Sequence, residues 1–78
     1  MMGQKIKQDE IAIGRNIREI RMARKIGQTE FVGRLQLVGV TMTRETLVKI
    51  ERGIQHIYAS QLQAIKEVLD TSYDELLK

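Results

Sequence analysis

Seventy-eight residues with 42% apolar content and a formal net charge of +3 allow one domain around one small core, and exclude a large enclosed pocket or a second domain. The absence of cysteine excludes disulfides, thiolate metal sites and thiol nucleophiles, and is compatible with a reducing cytoplasm. No apolar run approaches the roughly 20 residues of a membrane span, and the polar first eight residues lack the apolar core of a secretion signal, so a soluble cytoplasmic protein is expected.

Residues 1–8 show no period and are expected to form a disordered tail ahead of a single domain over 9–78. From residue 9 to residue 25, Ile13, Ile17 and Ile20 recur at spacings of three and four. Asp9 and Glu10 stand near the start, Arg24 and Lys25 near the end, as the helix dipole favours, and the pattern predicts a first helix. Arg21 lies one step from Ile17 and Ile20 on that surface, so its head group falls at the edge of the core and needs a partner.

Gly27 can break this helix and cap a second over 28–36, whose Phe31 and Leu35 point inward. Residues 37–42 read L-V-G-V-T-M, an apolar turn expected to bury its side chains. Thr41 or Thr43 can cap a third helix, and Gly53 can supply the left-handed residue that ends it. Residues 54–58 are expected to be a loop. Ser60 with Gln63 has the spacing of a capping box before Leu62, Ile65 and Leu69, and Ser72 with Glu75 repeats it before Leu76 and Leu77. These patterns predict fourth and fifth helices, no strand, and an all-α domain.

The third helix has two unlike sides. At about 100° per residue, Thr43, Leu47 and Ile50 share a narrow face, while Arg44, Glu45, Val48, Lys49 and Arg52 fan over roughly 140° of the other. Packing alone does not explain an outward face of long hydrogen-bonding side chains, and such a face suits a helix in the major groove of DNA. Charge points the same way: residues 1–52 hold eleven Lys or Arg against six Asp or Glu, and residues 53–78 hold two against four. A basic half favours a polyanion.

Catalysis has no foothold, since no carboxylates stand beside a nucleophile or a glycine-rich loop, and no enzyme activity or cofactor is expected. His56 is the only histidine and has no second ligand in the sequence for a metal. Three aromatic residues, Phe31, Tyr58 and Tyr73, are too few for a platform that stacks single-stranded bases.

Four pieces, I-G-R-N-I-R-E-I-R at 13–21, G-Q-T-E-F-V at 27–32, T-L-V-K-I-E-R-G at 46–53, and L-Q-A-I-K-E-V-L with Y-D-E-L-L at 62–69 and 73–77, carry a family pattern in their order and spacing. Over nearly the whole chain the sequence resembles the Cro/phage-repressor (XRE) type of helix-turn-helix DNA-binding domain. It departs from that pattern at residues 37–42, which lengthen the turn by about five residues and resemble a longer-turn subgroup, and at Val32 and Lys66, where the family usually has alanine.

The resemblance implies a five-helix, lambda-repressor-like fold and a transcriptional regulator, in the first place a repressor, that binds double-stranded DNA with its third helix in the major groove. Arg44, Glu45 and Lys49 match base-reading positions, with Val48 able to meet a thymine methyl. The competing reading is a solvated face with Glu45 and Lys49 as an i,i+4 pair. Gln28 matches a residue that bonds the DNA backbone, against the alternative of an ordinary exposed glutamine, and Thr43, Arg52, Gln55 and His56 are further backbone candidates. Arg21 and Glu51 resemble the family's partly buried ion pair, against the alternative that both lie on the surface. Homodimerisation through Tyr73, Leu76 and Leu77 is a family habit, although these residues could equally close the core. Two rival functions share the fold: a protein-binding module such as an antitoxin or adaptor, and the DNA-binding part of a longer protein.

Overall fold

A computed structural model of the chain describes residues 5, 6 and 12–78. Their helices are α1 (Ile13–Ala23), α2 (Gln28–Leu37), α3 (Arg44–Glu51), α4 (Ala59–Leu69) and α5 (Tyr73–Leu77), with strands β1 (Lys5–Ile6) and β2 (Ile57–Tyr58). The helical periods place the core as expected. Ile13 and Ile17 of α1, Phe31 and Leu35 of α2, Leu47 and Ile50 of α3, Ile65 and Leu69 of α4 and Leu76 of α5 are all fully buried. Helix α1 packs against α3, α4 and α5, while α2 packs against α3 and α4, so α3 is held from two sides.

Helix starts follow local chemistry. Extended Gly27 precedes α2 without a side-chain cap, the Thr43 hydroxyl accepts the Thr46 N–H at 3.1 Å to begin α3, and the Ser72 hydroxyl accepts that of Glu75 at 3.2 Å to begin α5. Two expectations need correction. Helix α1 is helical from Ile13, with Asp9 and Glu10 outside the described residues. Helix α4 begins at Ala59, not after Ser60, because Gln61 reaches back two residues earlier than the Ser60–Gln63 pattern requires: its Oε1 accepts the Tyr58 N–H at 2.9 Å.

Helix ends share one device. In α1, α2, α3 and α4 the N–H two residues past the last turn bonds a carbonyl five residues back: Ile26 to Arg21, Val40 to Leu35, Ile54 to Lys49 and Thr71 to Lys66. Each pairs with a second bond three residues back, from Lys25, Gly39, Gly53 and Asp70 respectively, which together make Schellman turns. The reversing residue has positive φ in every case, 92° at Gly39, 78° at Gly53, 60° at Lys25 and 51° at Asp70. Glycine adopts this region without strain; Lys25 does not. Arg24 braces two of these reversals together, donating to the carbonyls of Leu69 at 2.8 Å and Asp70 at 3.0 Å.

Two further differences concern apolar and terminal segments. The turn over 37–42 buries only part of its side chains: Met42 is buried and Val40 half-buried, but Leu37 is 86% and Val38 48% exposed. The Gly39 reversal turns the chain back so that the Val40 N–H bonds the Leu35 carbonyl and Val40 packs against the core, while Leu37 and Val38 face outward. The expected absence of strands also fails, since Lys5 and Ile6 pair antiparallel with Tyr58 and Ile57. A two-residue pairing leaves no alternation in the sequence, and it engages part of the segment read as a disordered tail and part of the segment read as a loop. The remaining residues of that tail, 1–4, 7 and 8, lie outside the described residues.

Helix α5 is tied down at its far end. The buried side chain of Asn16 donates to the carbonyls of Leu76 at 2.9 Å and Lys78 at 3.1 Å, two of the acceptors that a helix end otherwise leaves unmet. Lys66 is half-buried and snorkels to place its Nζ 5.3 Å from the centre of the Tyr73 ring.

Candidate nucleic-acid interface

The inner side of α3 fixes its orientation. Glu51, at the end of the helix, accepts from Arg21 Nε at 2.7 Å and Nη2 at 2.9 Å, and Arg21 Nη1 donates to the Ile26 carbonyl at 2.7 Å. The two side chains are 8% and 2% exposed, so the reading of both as surface residues is overturned. Such a fork is bidentate and fully satisfied, as a buried charge pair must be. It binds α1, the α1–α2 turn and α3 into one unit.

Gln28 belongs to the same network. Its Nε2 donates to Glu51 Oε1 at 3.1 Å, which adds α2 to the connection and sets the amide in one orientation. Gln28 is half-buried in the first turn of α2, where the cap residue Gly27 offers no side-chain acceptor to the helix's first N–H groups. Uncapped N–H groups at the positive end of a helix dipole suit an anion. The sequence reading missed the Gln28–Glu51 bond because it joins residues on different helices.

The outer side of α3 is open. Arg44, Glu45, Lys49 and Arg52 are exposed, and Val48 is half-buried. Among the described residues none of these four polar side chains has a hydrogen-bond or ion-pair partner. In particular, Glu45 and Lys49 form no i,i+4 pair, whereas Glu30 and Arg34, at the same spacing on α2, do. The competing account of this face as a mutually paired solvent surface therefore has no contact behind it.

The remaining candidates divide. Thr43 is exposed, but its hydroxyl accepts the Thr46 N–H and lies 3.0 Å from Thr46 Oγ1, so capping occupies it. Arg52 stands at the C-terminal end of α3. Gln55 is half-buried and His56 exposed, and both border a hollow shared with Lys5, Ile54 and Tyr58. At the other end of the chain, Leu76 is fully buried and belongs to the core, while Tyr73 and Leu77 are 41% and 38% exposed.

Arg15 and Arg18 carry no evident role when the helices are read one by one. Their spacing of three puts them on one side of α1, and the fold sets that side next to Arg52.

No protein-family model matches the chain, and no curated protein or solved structure matches it significantly.

Proposed function

We propose that this chain is a sequence-specific double-stranded DNA-binding domain of the Cro/phage-repressor helix-turn-helix type, with a lambda-repressor-like arrangement, and acts as a transcriptional regulator in the cytoplasm. The observation that carries the reading is the contrast between the two sides of α3. One side is locked by the Arg21–Glu51–Gln28 network, and the other presents Arg44, Glu45, Lys49 and Arg52 without partners among the described residues. A rigidly held helix with idle bidentate groups is suited to reading base edges in a major groove: arginine and lysine to guanine O6 and N7, glutamate to cytosine N4. Gln28 and the uncapped start of α2 would take the flanking phosphate. A homodimer on half-sites about one helical turn apart would extend the short contact of one unit, with Tyr73 and Leu77 as the exposed apolar residues of the last helix.

A protein-binding module is the second reading, favoured by Leu37 and Val38, which stand exposed at the end of α2. Selection of bound sites from random duplexes, followed by a salt titration on the selected site, separates the two. DNA binding predicts an enriched sequence and an affinity that falls steeply with salt. No enrichment, with a flat response at the limit of detection, overturns the DNA reading.

A further inference from the structure

Between the first half of α1 and the end of α3 lies an open groove of about 510 Å³ lined by Ala12, Arg15, Arg18, Glu51, Arg52 and Gly53. Its charges are one-sided. The Glu51 carboxylate is 2% exposed and already held by Arg21 and Gln28. Arg15, Arg18 and Arg52 are exposed, and none has a hydrogen-bond or ion-pair partner among the described residues. Three guanidinium groups thus border one hollow, and among its described lining residues the one carboxylate is already neutralised. Like charges gathered in this way repel one another in the free protein, and an anion between them relieves the repulsion. The groove is too open to enclose a small molecule, while the forked guanidinium donors match the oxygens of a phosphate.

Position decides which phosphate. Glu45 and Arg52 lie seven residues apart, two helical turns, and so fall along the same line of α3. A polyanion lying on the outer face of α3 therefore runs off the end of that helix into the groove. Resting on the DNA reading above, we propose that Arg15 and Arg18 of α1, together with Arg52, form a second backbone clamp that grips duplex phosphates at the opposite end of α3 from Arg44. In this arrangement the start of α2 and the face of α1, which meet at the Glu51 end of α3, both hold the backbone, and α1 contributes affinity without sequence preference.

The test uses the full chain and the double variant Arg15→Gln/Arg18→Gln, with Arg15→Lys/Arg18→Lys retaining the charge and Lys25→Gln removing a cation elsewhere. Binding to the selected duplex and to an unrelated duplex is measured across salt concentrations, after thermal melts have shown that each variant folds. Each lost phosphate contact lowers the slope of log affinity against log salt by about 0.9. The glutamine pair is expected to lower it by about 1 to 2 and to weaken both duplexes alike, by about tenfold at low salt. The lysine pair and Lys25→Gln should keep the wild-type slope. Wild-type binding with an unchanged slope in the glutamine pair overturns the clamp and leaves the DNA reading standing. If the wild type binds no duplex at all, or an acidic protein occupies the groove in its place, both readings fall together.

Discussion

The amide nitrogen of Gln28 lies 3.1 Å from the carboxylate of Glu51, the same oxygen that takes an N–H from Arg21 at 2.9 Å. One buried carboxylate thus sets the last turn of α3 and the first residue of α2 together. Glu51→Ala leaves the Arg21 guanidinium buried with only the Ile26 carbonyl, and is expected to lower unfolding free energy by about 3 to 5 kcal/mol in urea denaturation. A loss below about 1 kcal/mol would show that the pair does not anchor the helix.

Gln28→Ala removes a neutral partner and leaves the Arg21–Glu51 fork intact. Its stability should change by about 1 kcal/mol or less, while affinity for every duplex falls in parallel. A change in the preferred sequence would place Gln28 among the base-reading residues instead.

Arg44 and Lys49 are exposed and have no partner among the described residues, so replacing either by alanine should leave stability within about 0.5 kcal/mol of the wild type. Site preference should relax at particular bases by about 1 to 3 kcal/mol, as read from repeated site selection with each variant. An unchanged selected sequence with Arg44→Ala contradicts the base-reading assignment.

Lys25 holds φ of 60° at a reversal of the kind that glycine makes at positions 39 and 53. Lys25→Gly is expected to raise stability by up to about 1 kcal/mol by removing the left-handed penalty. Gly39→Ala should do the opposite by about 1 kcal/mol, and as a Cβ there would meet nothing within 4 Å, the loss comes from backbone conformation alone. Differential scanning calorimetry on both variants checks the opposed signs.

The helices were legible because their apolar spacing is a local property: Ile13 with Ile17, Phe31 with Leu35, Leu62 with Ile65 and Leu69. Thr43, Ser72 and Gly53 announced a start, a start and a stop for the same reason. Lys25 gave no such signal, since lysine does not mark a left-handed residue, and Asp70, of a type that tolerates that region, gave only a weak one; the hydrogen bonds around them reveal both. Leu37 and Val38 misled because apolar character was read as burial, when the reversal at Gly39 decides which way they face. The pairing of Lys5 with Tyr58 and the bond from Gln28 to Glu51 join distant parts of the chain, and no window along the sequence contains both partners. In the candidate interface, the outward residues of α3 could be read in advance; the convergence of Arg15, Arg18 and Arg52 needed the packing of α1 on α3.

The bond from Asn16 to the Leu76 carbonyl spans 60 positions of the chain, and that from Arg24 to Leu69 spans 45. During synthesis the first helix therefore leaves the ribosome long before the groups that satisfy it exist. Helices α1 to α3 can gather early, but the buried amide of Asn16 stays unmet until the last turn of α5 arrives. Closure of the domain in this sense waits on its last helix.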